Sequence, residues 1–367
     1  MTQPLGHNYG GIIQNFALQK VLKDNGYQPI TINRRSGKDV GKFVSLKIEL
    51  NHKLKNISGI PLDSIFIKQK VFQHTRSFIK KYISITEALD SNEILNQYFQ
   101  THTFDAYIVG SDQTWRPKYS PNIYNFYLDF LKKGKAKRIS YASSFGTDQW
   151  EYTDEEQRKC VALAQQFDAV SVREDSAVVL CKNFLNVDAS LVLDPTLLLG
   201  AEDYFEVINA PIESKHLFTY VLDKSQDKNL FIKKCSTILQ MEVSGNQARY
   251  NLYDNDSNNV EDYQLPPLES WLQSFRDAEF VITDSFHGTI FSILNNKPFI
   301  AIVNRERGSS RFISLLTQLG LMDRLVYDVR NFDTNLLFKS IDYIKVQKKL
   351  NILKQSSLQF LLNALKS

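Results

Sequence analysis

Cysteine is scarce in this chain. Three residues, Cys160, Cys181 and Cys235, are scattered over 367 positions. An odd, widely spaced set makes neither a disulfide framework nor a zinc site, so buried thiols in a reducing cytoplasm are the expectation. Long apolar runs are missing too: no stretch approaches the ~18 residues that a membrane span needs. The opening Met1 to His7 has no basic stretch leading into an apolar core, so it does not read as a signal peptide. Of the few histidines, His52, His74, His102 and His216 lack the partner spacing of a metal site, and we expect no metal and no cofactor. What remains is the balance of a soluble globular protein, 43% hydrophobic and 23% charged, with 24 Phe and 17 Tyr to build an aromatic-rich core.

Charge is unevenly distributed. Residues 34 to 81 hold twelve Lys/Arg against three acids, while the whole chain carries only +4. Such a stretch, with apolar residues interleaved, suits an anionic membrane surface. A solvated face on a helical hairpin is the plainer alternative. No nucleic-acid-binding module accompanies it, and no nucleic-acid partner is expected.

The apolar pattern alternates between short β-rich runs and helical stretches, the rhythm of α/β layers. A helix runs from Gly10-Gly11 through Ile12, Ile13, Phe16, Ala17, Leu18 and Val21 to Leu22, and Asn25-Gly26 ends it. Gln28 to Ile32 reads as a strand. Only six residues precede His7, where a Rossmann-like half would have its first strand, so an N-terminus truncated before that strand is the expectation. Tyr107 to Val109, Arg138 to Ala142 and Ala169 to Val172 are further strands. Each is followed by small polar or charged residues, and open α/β sheets bind ligands at that end. The pattern changes between about 200 and 217. A second series of strands then begins: His216 to Leu222, Met241 to Val243, Phe280 to Thr283 and Lys297 to Val303. A last helix, roughly Asp342 to Leu365, is expected to pack across both parts. The inferred architecture is two Rossmann-like domains facing a cleft, residues 1–205 with a basic helical insertion at about 34–90, and residues 206–367.

Four segments carry residues suited to chemistry. Thr283 to Thr289 (TDSFHGT) joins a strand to a helix, where backbone N–H groups and the helix dipole favour an anion. His287 there can donate or accept a proton, and Gly288 allows close approach of a ligand. The alternative is that Asp284 or Ser285 caps the helix and His287 packs under a loop. Asn304 to Arg311 sets Arg305, Arg307 and Arg311 around a Gly-Ser-Ser loop, suited to phosphate or carboxylate, or else it is a surface loop. His7-Asn8-Tyr9-Gly10-Gly11 opens the first helix without the dinucleotide-binding fingerprint. Gly110 to Trp115 offers Ser111, Asp112 and Gln113 to sugar hydroxyls and Trp115 to a sugar face, unless Asp112 is a turn residue and Trp115 is core. Arg173 can reach an anion across the cleft or pair with Glu174 or Asp175.

In their order and spacing these segments resemble the polysaccharide pyruvyl transferase family. The matching stretches are HNYGG from His7, FDAYIVGSDQTW from Phe104, SYASSFG from Ser140, DAVSVRE from Asp168, LDPT from Leu193, VITDSFHG from Val281, and Asn304 to Phe312. The resemblance implies a fold like the B-type glycosyltransferases, with the first domain on the acceptor side and the second on the donor side. It implies phosphoenolpyruvate as donor and a sugar of a surface polysaccharide, or its lipid-linked precursor, as acceptor. The product is a pyruvate ketal, and phosphate is released. His287 would be catalytic. Arg173, Ser285, Gly288, Arg305, Arg307 and Arg311 would hold the donor, and His7, Asn8, Tyr9, Gly10, Gly11, Ser111, Asp112, Gln113 and Trp115 the acceptor. Many family members have an arginine two places before the histidine. Ser285 stands there instead, so either another arginine takes that contact or the donor differs. A nucleotide-sugar glycosyltransferase and a non-catalytic glycan-binding relative are the rival readings. The enzyme is expected in the cytoplasm, with the basic segment on the inner leaflet.

Overall fold

A computed structural model describes residues 1–35, 65–132, 134–208, 210–211, 216–249, 260–303 and 308–366. The first part of the chain contains α1 (Tyr9–Asp24), β1 (Thr31–Arg34), α2 (Ile65–Val71), α3 (Gln73–Tyr82), β2 (Ile85–Leu89), α4 (Asn92–Thr101), β3 (Ala106–Val109), β4 (Lys137–Ser143), α5 (Asp154–Ala164), β5 (Ala169–Val172), α6 (Asp175–Leu180), β6 (Ser190–Leu191) and α7 (Ala201–Phe205). The second contains β7 (Leu217–Tyr220), α8 (Gln226–Leu239), β8 (Val243–Gly245), α9 (Leu268–Asp277), β9 (Phe280–Thr283), α10 (Phe286–Leu294), β10 (Phe299–Ile302), α11 (Ser310–Leu319), β11 (Leu325–Val326) and α12 (Tyr343–Lys366).

All strand pairs among the described residues are parallel. One sheet has the order β3-β4-β5-β6, another β11-β10-β9-β7-β8, and β1 pairs with β2 separately. Parallel strands need a crossover between neighbours, and the crossover helices cover both faces. That is why β9 and β10 are apolar and buried at nearly every position, whichever face a residue points to. The mixed α/β layering with parallel sheets is the Rossmann-like, B-type-glycosyltransferase-like architecture read from the sequence.

The edge of β3 is covered by the first residues of the chain. The Met1 amine donates to Ile108 O, and Gly110 N donates to Met1 O at 2.9 Å. Thr2 Oγ1 then donates to Ser111 O at 2.8 Å, and Gln3 Nε2 to Gln113 O at 2.8 Å. These bonds pair backbone groups at that edge of the sheet and in the turn after it.

One continuous apolar cluster lies between the two large sheets. Ile12, Ile13 and Ala17 of α1, Ile290 and Phe291 of α10, Trp271 of α9 and Leu361 of α12 meet in it. Helices α1 and α10 are buried on nearly all sides, so each brings its N-terminus to the middle of the molecule. Helix α12 touches both parts: Leu193 N donates to Ser357 Oγ at 2.9 Å, and Tyr343 OH to Lys297 O at 2.5 Å.

Candidate active site

A reversal of strand order in the second sheet and the turn after β3 in the first set the position of the site. In the second sheet β7 leads outward to β8 on one side and to β9 on the other. The crevice past the carboxyl ends of β7 and β9 is therefore where an open α/β sheet accepts a ligand. Leu222, Asp223 and the turn Asp284 to His287 line it. In the first sheet the turn after β3 supplies Asp112 and Gln113 to the facing wall. Between the walls is a cleft of about 500 Å³, also lined by Gln3, Pro4, His7, Asn8, Lys118, Tyr119, Arg311 and Phe312.

His287 occupies the second position of α10 and is 6% exposed. Its Nε2 lies 3.7 Å from Asp194 Oδ2. The ring lies against Gly10 in the first turn of α1, where a Cβ would fall 2.1 Å from Nδ1. Any side chain at position 10 would drive the imidazole out, so glycine there serves the histidine, not the helix. Gly288 has a similar duty: a Cβ would sit 2.3 Å from Thr283 Oγ1, which itself donates to Tyr220 O and accepts from Ser285 N. Ser285 caps α10, its Oγ accepting from Gly288 N at 3.3 Å. Asp284 is fully engaged: it accepts from Leu222 N, Asp223 N and Lys228 Nζ at 2.6, 3.1 and 2.7 Å.

Behind the histidine is a buried charge cluster. Arg173 Nη1 reaches Asp194 Oδ2 at 2.5 Å and Nη2 reaches Asp112 Oδ1 at 3.0 Å. Ser111 Oγ donates to Asp194 Oδ2 at 3.1 Å, and Thr196 donates to Oδ1 through both N and Oγ1. Burial alone would raise the carboxyl pKa of Asp194, but His287 and Arg173 hold it well below the usual carboxylate range. Burial also opposes the charge on Asp112, and there Arg173, His287 and Arg311 prevail. Arg311 is pushed down to about 10 by burial and by the charge of Arg173. Burial pushes Glu174 up; its Oε1 accepts from Ser144 Oγ, Phe145 N and Gly146 N. The Phe286 ring packs against both guanidinium groups, 5.1 Å from Arg173 Cζ and 5.4 Å from Arg311 Cζ.

A family model described as polysaccharide pyruvyl transferase matches residues 8–306. The chain belongs to the polysaccharide pyruvyl transferase family. No curated protein matches the chain. The family match takes in the α1 entrance, the β3 turn, Arg173, Asp194 and the His287 turn, and stops short of Arg311. Membership implies pyruvyl transferase chemistry directed at a polysaccharide. Among the described residues no helix is long and apolar enough to cross a membrane.

The structure brings His7, Asn8, Asp112, Gln113, Ser285, His287 and Arg311 onto one cleft. The other described candidates are placed outside that lining. Arg173 does not face the cleft. Its side chain is fully buried, and its charge is committed to two carboxylates rather than to Glu174 or Asp175. Trp115 is not a sugar platform. It is 0% exposed, stacks on Tyr127 at 5.0 Å and donates its indole N–H to Phe126 O. Tyr9 packs between Tyr220 and Trp271, with its hydroxyl on Pro266 O. Ser111 is buried against Asp194 and Ala142 O. Gly10 and Gly288 act by making room for neighbours, and Gly11 packs beside Asn8 and Asp112. Arg305 and Arg307 lie outside the described residues. Asp194 and Phe286 were not singled out as site residues in the sequence. The sequence signal for Asp194 was its place directly after a β-run and before proline.

Proposed function

We propose that the chain transfers pyruvate from phosphoenolpyruvate to a sugar of a surface polysaccharide or its lipid-linked precursor, forming a ketal and releasing phosphate. The observation that carries this reading is the pairing of His287 with Asp194 at the mouth of two helix N-termini, next to Arg311. Phosphoenolpyruvate brings a phosphate and a carboxylate. The N-terminal N–H groups of α1 and α10 favour anions, and an anion beside Arg311 would counter the charge of Arg173 that depresses it. Arg305 and Arg307 stay candidates for the second anionic group on sequence alone. The Asn8 side chain does not cap α1 but donates to Asp112 Oδ2 at 3.5 Å, which suits an N-terminus meant for a ligand.

In this reading His287 delivers a proton to the methylene carbon of the donor, turning it into a methyl group and leaving an oxocarbenium-like C2. One sugar hydroxyl adds to C2 and returns its proton to His287. A second hydroxyl then attacks the same carbon, its proton leaves with the phosphate, and the C–O bond to phosphate breaks. Asp112, kept ionised by Arg173, accepts a hydrogen bond from an acceptor hydroxyl. Asp194 and Arg173 are positioning residues that fix the imidazole.

Thermal unfolding tests the donor. A ligand at about 100 times its dissociation constant adds roughly 2.7 kcal/mol, a rise of several degrees at about 2–4 °C per kcal/mol. Phosphoenolpyruvate is expected to shift the midpoint and UDP-sugars are not. The reverse result would replace the reading with a nucleotide-sugar glycosyltransferase.

The basic hairpin suggests where the acceptor is met. On α3, Arg76, Lys80 and Lys81 are exposed while Phe78 is buried. The Phe72 ring lies 6.1 Å from that of His7 at the cleft. The twelve-cation segment, of which residues 36–64 lie outside the described residues, would place the cleft at an anionic inner leaflet. Co-sedimentation with liposomes should rise with phosphatidylserine content and fall with salt. Binding indifferent to anionic lipid would sink this docking.

A further inference from the structure

With Trp115 in the core, the cleft needs another surface for a sugar, and the structure supplies one. We propose that Tyr119 is the stacking platform for the acceptor sugar, with the Gln113 amide as its hydrogen-bonding partner. This rests on the reading of the acceptor as a carbohydrate, not on the identity of the donor.

Tyr119 is 40% exposed and lines the cleft on the wall facing His287. The two phenylalanine rings on that lining, Phe286 and Phe312, are 5% and 1% exposed and serve the charge cluster and the core. Ligand clefts are lined by aromatic side chains beside a few placed polar groups, and Tyr119 stands so on this wall. The C–H hydrogens on the flat face of a hexopyranose carry partial positive charge and meet the negative face of an aromatic ring favourably.

The ring is held in place for that duty. It closes the 3₁₀ turn Pro117–Tyr119, where Tyr119 N donates to Arg116 O at 3.1 Å. Arg116 lies under the ring, with Cζ 4.9 Å from the centroid, and is itself clamped by two 2.8 Å bonds to Glu151. Ser120 Oγ ties the turn to Thr114 O and Arg116 O, and Gln3 Nε2 reaches Ser120 Oγ at 3.2 Å. The guanidinium braces the ring on the cleft wall, and the Lys118 ammonium, also on that lining, lies 5.9 Å from the ring centroid. Gln113 is oriented by the same arginine: Arg116 Nη1 donates to its Oε1 at 3.2 Å. A Cβ on Gly146 would fall 1.9 Å from that oxygen. The Gln113 amide nitrogen, with no hydrogen-bond partner among the described residues, is thereby left to donate to a sugar hydroxyl.

The test is saturation-transfer NMR on the full chain with methyl glycosides of glucose, galactose, mannose, N-acetylglucosamine and N-acetylmannosamine. Tyr119→Ala and Tyr119→Phe are compared with wild type, and the thermal shift by phosphoenolpyruvate is measured on all three. Wild type and Tyr119→Phe should saturate the pyranose ring protons of at least one glycoside, and Tyr119→Ala should bind about fivefold more weakly. The phosphoenolpyruvate shift should be equal in the three proteins, which also shows that the alanine variant is folded. Saturation in Tyr119→Ala within about twofold of wild type, or none in the wild type, overturns the platform. Sugar binding that depends on Tyr119 in a protein that phosphoenolpyruvate does not shift would leave the platform standing and remove the donor assignment.

Discussion

His287→Asn is expected to lower kcat for phosphoenolpyruvate-dependent phosphate release by roughly 10²–10⁴-fold, the usual worth of a positioned acid–base group. The Michaelis constant for donor should change far less, because in the proposed reading Arg311 and two helix N-termini, rather than the imidazole, would make the anion contacts. Asparagine keeps most of the volume beside Gly10, so the fold should survive, and far-UV circular dichroism with the phosphoenolpyruvate thermal shift verifies that. The combination separates a chemical role from a packing one. A purely structural histidine would lose stability and donor binding together and keep the kcat of its folded fraction. A kcat within about tenfold of wild type, in a variant that still binds donor, would remove His287 from the chemistry and, with it, the main support for proton transfer to the methylene carbon.

The layers of this fold were legible because they depend on periodicity. Helix α1, strands β3, β4, β5, β9 and β10 and the last helix all stand within about two residues of where apolar spacing puts them. Strands β1 and β8 are displaced toward the C-terminus, to Thr31–Arg34 and Val243–Gly245, since a short apolar run marks a strand without fixing its register. The two-residue strands β6 and β11 have too little pattern to be seen at all. The site was less legible for a different reason. Local sequence tells which side chains are near a strand end, but not which way they turn. Trp115 and Gln113 are two residues apart; one is sealed against Tyr127 and the other lines the cleft. Arg173 was expected to meet a ligand, yet it meets Asp112 and Asp194, which are 61 and 21 residues away in the chain. Only the tertiary fold brings those three charges together, and no spacing rule announces it.

The same cluster gives the largest expected loss of stability. Asp194→Asn keeps the hydrogen bond from Thr196 but removes the charge shared by Arg173 and His287. Breaking a buried ion pair from one side typically costs about 3–5 kcal/mol, because the remaining charge is left in a poor solvent. Asp112 still partners Arg173, so the loss should lie toward the lower end, a fall in Tm on the order of 10 °C. The pH dependence gives the charge its own signature. Asp194 has a folded-state pKa depressed below its unfolded value, so its contribution to stability is complete above an unfolded value of about 3.9 and is lost as pH falls through the folded one. The gap in Tm between wild type and Asp194→Asn should therefore shrink as pH falls below about 4. A gap that persists unchanged at pH 3 would mean that the carboxylate charge contributes nothing and that asparagine fails for reasons of shape. Activity should fall together with stability, because the imidazole loses the group that orients it. A variant destabilised as expected, but with full kcat at a temperature where it is folded, would make Asp194 a structural partner of Arg173 alone and leave His287 held by Gly10 and the helix.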